Sequence, residues 1–145
     1  MSKTVSVTWD GELSFDGVSG SGHTLRMDGR GNVTGFSPME LMILGLAGCT
    51  GMDVIDILRK KRQDVTAFAV NVRGTQANEH PFVYTDIEVE YVVRGHGVDP
   101  KAVERAIELS QTKYCPTSAM LCRTATLRSS YRIEEAEAAP EAVPA

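Results

Sequence analysis

Hydrophobic and polar residues alternate at the start of the chain. Val5, Val7 and Trp9 interleave with Thr4, Ser6 and Thr8, the period-two signature of a half-buried strand. Asp10-Gly11 then reads as a two-residue hairpin turn, with Leu13 and Phe15 on a second strand. Residues 17–22 read as a glycine-rich loop, 23–28 as a third strand and 29–36 as another loop. At Ser37 the period changes. Ser37-Pro38-Met39-Glu40 combines a capping serine, a proline at the first helical position and a glutamate that closes a capping box. The spacing predicts a helix over 37–62. Residues 41–52 are apolar on every side, which marks a buried helix, and Asp53, Asp56, Arg59 and Lys60 face outward after them.

Further on, Phe68, Val70 and Val72 alternate with Ala69, Asn71 and Arg73 as a strand. Residues 83–94 give the clearest strand, with Val83, Thr85, Ile87, Val89, Tyr91 and Val93 on one face and Tyr84, Asp86, Glu88 and Glu90 on the other. Asp99-Pro100 caps a second helix that places Val103, Ala106, Ile107 and Tyr114 on one face. Cys115-Pro116 starts a short helical turn, and a last strand covers 124–133. Strands and helices are segregated along the chain, so the fold class is α+β. Residues 1–134 form one domain, and 135–145, rich in Glu, Ala and Pro, bury nothing and are expected to be disordered. One sheet has difficulty covering every side of so apolar a helix in a small domain. A homodimer in which two such helices share a core is therefore expected.

Composition narrows the function classes. A net charge of −4 without a basic stripe argues against a nucleic-acid partner. The run Arg59-Lys60-Lys61-Arg62 sits at a helix C-terminus, where cations complement the dipole. The uncharged stretch 41–52 is too short to span a bilayer, and Met1-Ser2-Lys3-Thr4 leads directly into strand pattern. No membrane partner is expected, and the default location is the cytoplasm. Cys49, Cys115 and Cys122 form no CxxC pair, so neither a zinc site nor any other metal or cofactor is expected, and structural disulfides are rare in a reducing compartment.

The three thiols have different settings. Cys49 lies in the apolar half of the helix, where a free cysteine can act as a small hydrophobe. Gly45, Gly48 and Gly51 surround it, each costing the helix about 1 kcal/mol relative to Ala. A helical side chain leans over the preceding turn, so Cys49 points toward Gly45. The hollow there admits either a partner helix or a small oxidant. Cys115 sits at a helix cap, where free N–H groups and the dipole favour a thiolate; a capping cysteine without chemistry is the alternative. Cys122 beside Arg123 has no special context and reads as structural or incidental.

Two segments carry a resemblance. Ser37-Pro38-Met39-Glu40-Leu41, followed by Ala47-Gly48-Cys49-Thr50, resembles the central-helix motif of the OsmC/Ohr family of thiol-dependent hydroperoxide reductases. Lys113-Tyr114-Cys115-Pro116-Thr117-Ser118 resembles that family's second-cysteine motif, and the similarity extends over about residues 5 to 133, closest to the OsmC-like branch. The resemblance implies an intertwined α+β dimer, with a long buried central helix against antiparallel sheets and active sites at the subunit interface. It implies that Cys49 attacks the peroxide O–O bond and becomes a sulfenic acid, and that Cys115 condenses with it to a disulfide. A hydroperoxide is then the substrate and a dithiol the reductant. The family's arginine from an N-terminal strand matches Arg26, in Thr24-Leu25-Arg26-Met27-Asp28. The family's catalytic glutamate directly follows the motif proline; here that position is Met39, and Glu40 comes one residue later, about 100° around the helix.

The chemistry explains why such residues are needed. Burial in an apolar helix raises a thiol's pKa, and a guanidinium reverses this and donates to the departing oxygen. Arg26 is therefore the residue on which peroxidase activity turns. The competing reading is a redox sensor or small-ligand binding protein on the same fold, which the Met39 departure favours.

Overall fold

The computed structural model describes residues 1–31 and 33–138. Two compact units are present, Met1–Leu44 and Gly45–Ala145, and helix α1 (Pro38–Lys60) belongs in part to each.

In the N-terminal unit, β1 (Val5–Trp9), β2 (Ser14–Ser19) and β3 (Thr24–Asp28) form an antiparallel meander. The first hairpin is wider than a two-residue turn. Trp9 and Phe15 are the last pair, Asp10 N donates to Ser14 O, and Gly11 and Glu12 both have positive φ (93° and 48°). Leu13 thus lies in the loop rather than on a strand. β2 runs through the expected glycine loop: Gly17 pairs with Val7 and Leu25, and a Cβ there would be in ordinary contact with Leu25 and Met27.

One face of this sheet carries Val5, Val7, Leu25 and Met27, which with Leu41 line an apolar recess of about 280 Å3. β1 is exposed along its whole length and not half-buried as its alternation suggested, because its apolar side chains line this open recess instead of a core. On the other face Asp16 stands opposite Arg26. The Asp28 carboxylate orders the loop before α1 by accepting from Arg30 N, Thr34 N and Thr34 Oγ1. Donation from the Arg30 N–H, then from Thr34, holds Asp28 below the usual carboxylate range.

In the C-terminal unit, β4 (Asp64–Gln76), β5 (Tyr84–His96) and β6 (Thr126–Glu135) form a sheet in that order. β4 and β5 pair antiparallel and β5 and β6 parallel, so antiparallel pairing holds for one ladder of this sheet and not the other. A parallel neighbour requires a crossover. α2 (Pro100–Leu109), a π-helical turn (Ser110–Tyr114) and α3 (Pro116–Leu121) supply it. Asp99 caps α2 as its sequence predicts, accepting from Lys101 N at 3.0 Å.

Leu46, Val54, Leu58, Ile87, Val89, Tyr91, Val93, Val103 and Ala106 are buried in the core. Tyr84 is buried too, on the face expected to be polar. A register shift between Thr75 and Gln76 turns it inward, and Gly74 leaves the space its ring occupies, since a Cβ there would overlap Tyr84 Cε1.

The C-terminal half of α1 buries a stripe, Leu46, Thr50, Val54 and Leu58, at a spacing of four. Burial is not all-round as the composition suggested: Met42, Leu44 and Met52 are exposed. By length and composition α1 is long and apolar enough to cross a membrane, which the shorter run 41–52 did not suggest. Its buried stripe makes it the core helix of this unit.

β6 continues to Glu135, and Ala136 N donates to Gly95 O at 2.7 Å. Order therefore extends past residue 134, and the rest of the expected disordered tail, from residue 139, lies outside the described residues.

Candidate functional site

Cys49 lies half-buried on α1, one residue before the buried Thr50. Cys115 is the N-cap of α3, with extended backbone (φ −82°, ψ 105°) and Pro116 at the first helical position. Its Sγ accepts the Ser118 N–H at 3.3 Å. The Ser118 hydroxyl is buried and has no hydrogen-bond partner among the described residues.

The π-helical turn delivers Cys115 to this place. Cys115 N donates to Ser110 O at 2.7 Å, closing a turn one residue wider than an α-helical one. The extra residue changes the phase of the chain. Tyr114, expected on the buried face of α2, is half exposed, and Cys115 turns inward at 3% exposure.

The two thiols, far apart in the chain, are near enough for Cys49 to act on the Cys115 thiol, and both are free. Burial pushes the Cys115 thiol up, Ser118, whose N–H donates to the sulfur, opposes it, and Cys49 pushes the same way as burial. A thiolate-favouring cap was expected at Cys115; the cap is present, and desolvation outweighs it. Cys115 therefore keeps its proton beside Cys49.

A chain of buried polar groups flanks the pair. Thr50 Oγ1 lies 2.7 Å from Tyr91 Oη and 2.8 Å from Ser110 Oγ. Ser110 Oγ donates to Asp53 Oδ2 at 2.9 Å, and Gln111 Nε2 donates to Tyr91 Oη at 3.2 Å. Counting hydrogens fixes the direction, since each hydroxyl has one to give. Ser110 gives its hydrogen to the Asp53 carboxylate, so it accepts from Thr50. Thr50 then accepts from Tyr91, which accepts from Gln111. Burial pushes the Tyr91 phenol up, keeping the proton this order needs.

Sequence reading missed this chain and placed Asp53 outward. The available signal was Thr50 at a stripe position of α1 and Tyr91 on the inward face of β5, polar handles where the pattern buries side chains.

Arg26 and Glu40 belong to the N-terminal unit. Arg26 Nη1 contacts Asp10 Oδ2 at 2.6 Å and Asp16 Oδ1 at 3.1 Å, on the face opposite Leu25 and Met27. Hydrogen bonding to Asp10 first, then the Asp10 and Asp16 charges, hold the guanidinium more firmly protonated than usual. Glu40 closes the predicted capping box: Ser37 N donates to Glu40 Oε1 at 2.8 Å and Glu40 N donates to Ser37 Oγ at 3.1 Å. Cys122 is exposed at the C-cap of α3, its thiol donating to Ala119 O at 3.4 Å. Among the described residues no group of three or more His, Cys, Asp or Glu side chains is arranged to hold a metal ion.

Known proteins resemble this chain in both sequence and fold. The chain is 37% identical over 127 residues to protein YhfA of Escherichia coli K12, an alignment covering 88% of this chain and 95% of that one. A hypothetical protein from Aquifex aeolicus VF5 superposes with a TM-score of 0.86 at 32% identity, covering 94% of this chain and 99% of the other. The organic hydroperoxide resistance protein OhrB of Bacillus subtilis shares the fold, with a TM-score of 0.62 at 15% identity over 91% of this chain and 98% of that one. The sequence model of the OsmC-like protein family matches residues 29–130, which include both cysteines of the pair, and the chain belongs to that family.

Proposed function

We propose that this protein is a thiol-dependent peroxidase in oxidative stress defence, with Cys49 as its nucleophile and Cys115 as its resolving thiol. The observation that carries the reading is the pairing of a half-exposed Cys49 with a buried Cys115, whose thiol burial pushes up. The Cys49 thiolate attacks the distal oxygen of a hydroperoxide ROOH, the O–O bond breaks, and RO⁻ leaves to take up a proton as ROH. Cys49 becomes a sulfenic acid. Cys115 then attacks that sulfur, forming the Cys49–Cys115 bond and releasing water, and an external dithiol returns the pair to thiols by exchange. The reading gives Arg26, whose guanidinium meets Asp10 and Asp16, the role the family resemblance implies for it, and leaves Glu40 its capping role. The similarity to a protein named for organic hydroperoxide resistance supports this substrate class.

The reading includes a homodimer located in the cytoplasm. Met42, Leu44 and Met52 on α1 are exposed in the single chain, as expected of a helix shared between two copies. Light scattering that gives a stable monomer at micromolar concentration would count against it.

The reaction is tested by stopped-flow mixing with cumene hydroperoxide and with hydrogen peroxide. Both site thiols should be lost, and peptide mapping should find Cys49 joined to Cys115 with Cys122 free. No thiol loss, or a Cys115–Cys122 bond, overturns the assignment. A redox sensor or ligand-binding protein with weak turnover is the second reading. It is favoured by the Asp10 and Asp16 carboxylates on Arg26 and by Met39 after the motif proline. Rapid thiol oxidation without sustained turnover under excess dithiol would select it.

A further inference from the structure

We propose that the hydroxyl chain Tyr91–Thr50–Ser110–Asp53 is a positioning clamp that presents Cys115 to Cys49. The proposal rests on the reading that these two thiols form the redox pair.

Ser110 is the joint of the clamp. Its backbone carbonyl receives the Cys115 N–H at 2.7 Å, so it sets where the π-helical turn puts the sulfur. Its side chain faces the other way, to α1, accepting from Thr50 and donating to Asp53. Those two residues follow Cys49 on α1: Thr50 comes directly after it, and Asp53 is four residues on, on the same helix face. One serine therefore ties the Cys115 backbone to α1 within the turn that follows Cys49. Tyr91 anchors the arrangement to β5 through Thr50 and is itself fully buried.

Direction gives the clamp its rigidity. Thr50 and Ser110 are both fully buried and each has a single hydrogen to give. With an acceptor-only carboxylate at one end and the Gln111 N–H at the other, only one orientation of the three hydroxyls satisfies every group. Reversing any of them leaves a buried donor or acceptor unmade, so the chain is held as a unit. A satisfied core that does nothing for the thiols would predict loss of stability alone. The clamp predicts in addition a change in how readily the pair closes, because holding two reacting groups together raises their effective concentration.

The test is the equilibrium of the purified full-length protein with glutathione, in which the dithiol and oxidised glutathione give the Cys49–Cys115 disulfide and two reduced glutathione molecules. Thr50→Val removes both links at nearly constant volume and should lower that equilibrium constant by about tenfold or more. Thr50→Ser keeps the hydroxyl and should return it to near the wild-type value. An unchanged constant in Thr50→Val, or an equal loss in both variants, overturns the proposal. Should Thr50→Val not fold, Tyr91→Phe, which deletes only the phenol oxygen, takes its place, and an unchanged constant there is equally fatal. The experiment is independent of the peroxidase reading. Wild-type protein that closes the disulfide with glutathione but consumes no peroxide would end that reading and leave the clamp standing. Wild-type protein that forms no such disulfide with glutathione ends the clamp.

Discussion

In the N-terminal unit the polar chemistry lies at the surface. Arg26 meets Asp10 and Asp16, Arg30 meets Glu12, and the apolar residues of β1 are exposed beside them. In the C-terminal unit polar chemistry is taken inside, where Tyr91, Thr50 and Ser110 are fully buried amid Leu46, Val54 and Ile87. Exposed ion pairs contribute at most about 1 kcal/mol and are screened by salt. A guanidinium held that way can exchange partners at little cost. A buried hydroxyl chain cannot, because each lost partner leaves an unsatisfied group worth about 1–3 kcal/mol. The difference teaches that the geometry of Cys115 is set by its own unit, whereas the role of Arg26 depends on what it meets.

The contrast can be broken most forcefully in the cores. Leu58→Ala, at a fully buried position, should lower unfolding free energy by about 2–5 kcal/mol in a denaturant titration, while Val5→Ala on the exposed β1 should stay within about 0.5 kcal/mol. Equal losses would mean that β1 is as fully packed in solution as the core.

Arg26→Met asks whether the surface guanidinium serves a thiol. In a background lacking Cys115 and Cys122, alkylation of Cys49 at neutral pH should slow by about tenfold or more, equivalent to about 1.4 kcal/mol. If the pH profile does not move, Asp10 and Asp16 are its sole clients, and the peroxidase reading loses its source of activation.

A surface group of the C-terminal unit gives a smaller effect. The Glu137 carbonyl and then the Asp64 carboxylate push His96 above its usual value. A raised pKa means that the protonated form is favoured in the folded state. Its stabilisation is full below the unfolded value of about 6.5 and is lost as pH rises through the higher folded value. Urea midpoints measured from about pH 5.5 to pH 8.5 should therefore fall by less in His96→Gln than in the wild type. Matching pH profiles would place these interactions outside the stability of the sheet edge. The smallest effect is expected at Cys122, whose replacement by serine should leave both stability and Cys49–Cys115 closure unchanged within about 0.5 kcal/mol. A measured loss of closure would bring the exposed thiol into the chemistry.

Much of this was legible in the residues. Ser37, Pro38 and Glu40 announced the start of α1, Asp99 and Pro100 that of α2, and Cys115-Pro116 that of α3, because caps act over three or four residues and need no tertiary context. The two cysteine motifs were equally readable, and so was the α+β class, which follows from segregated periodicities. Tertiary structure decided the rest. Tyr84 faces inward only because the β4–β5 pairing skips Thr85 and Gly74 leaves it room. Tyr114 and Cys115 exchange sides only because the chain after α2 widens into a π-helical turn closed on Ser110. The direction of the hydroxyl chain, and the balance by which burial outweighs the cap at Cys115, depend on groups brought together from α1, β5 and the crossover. Local sequence specifies what each residue can donate, accept or ionise; only packing fixes which partners it finds and how little water remains between them.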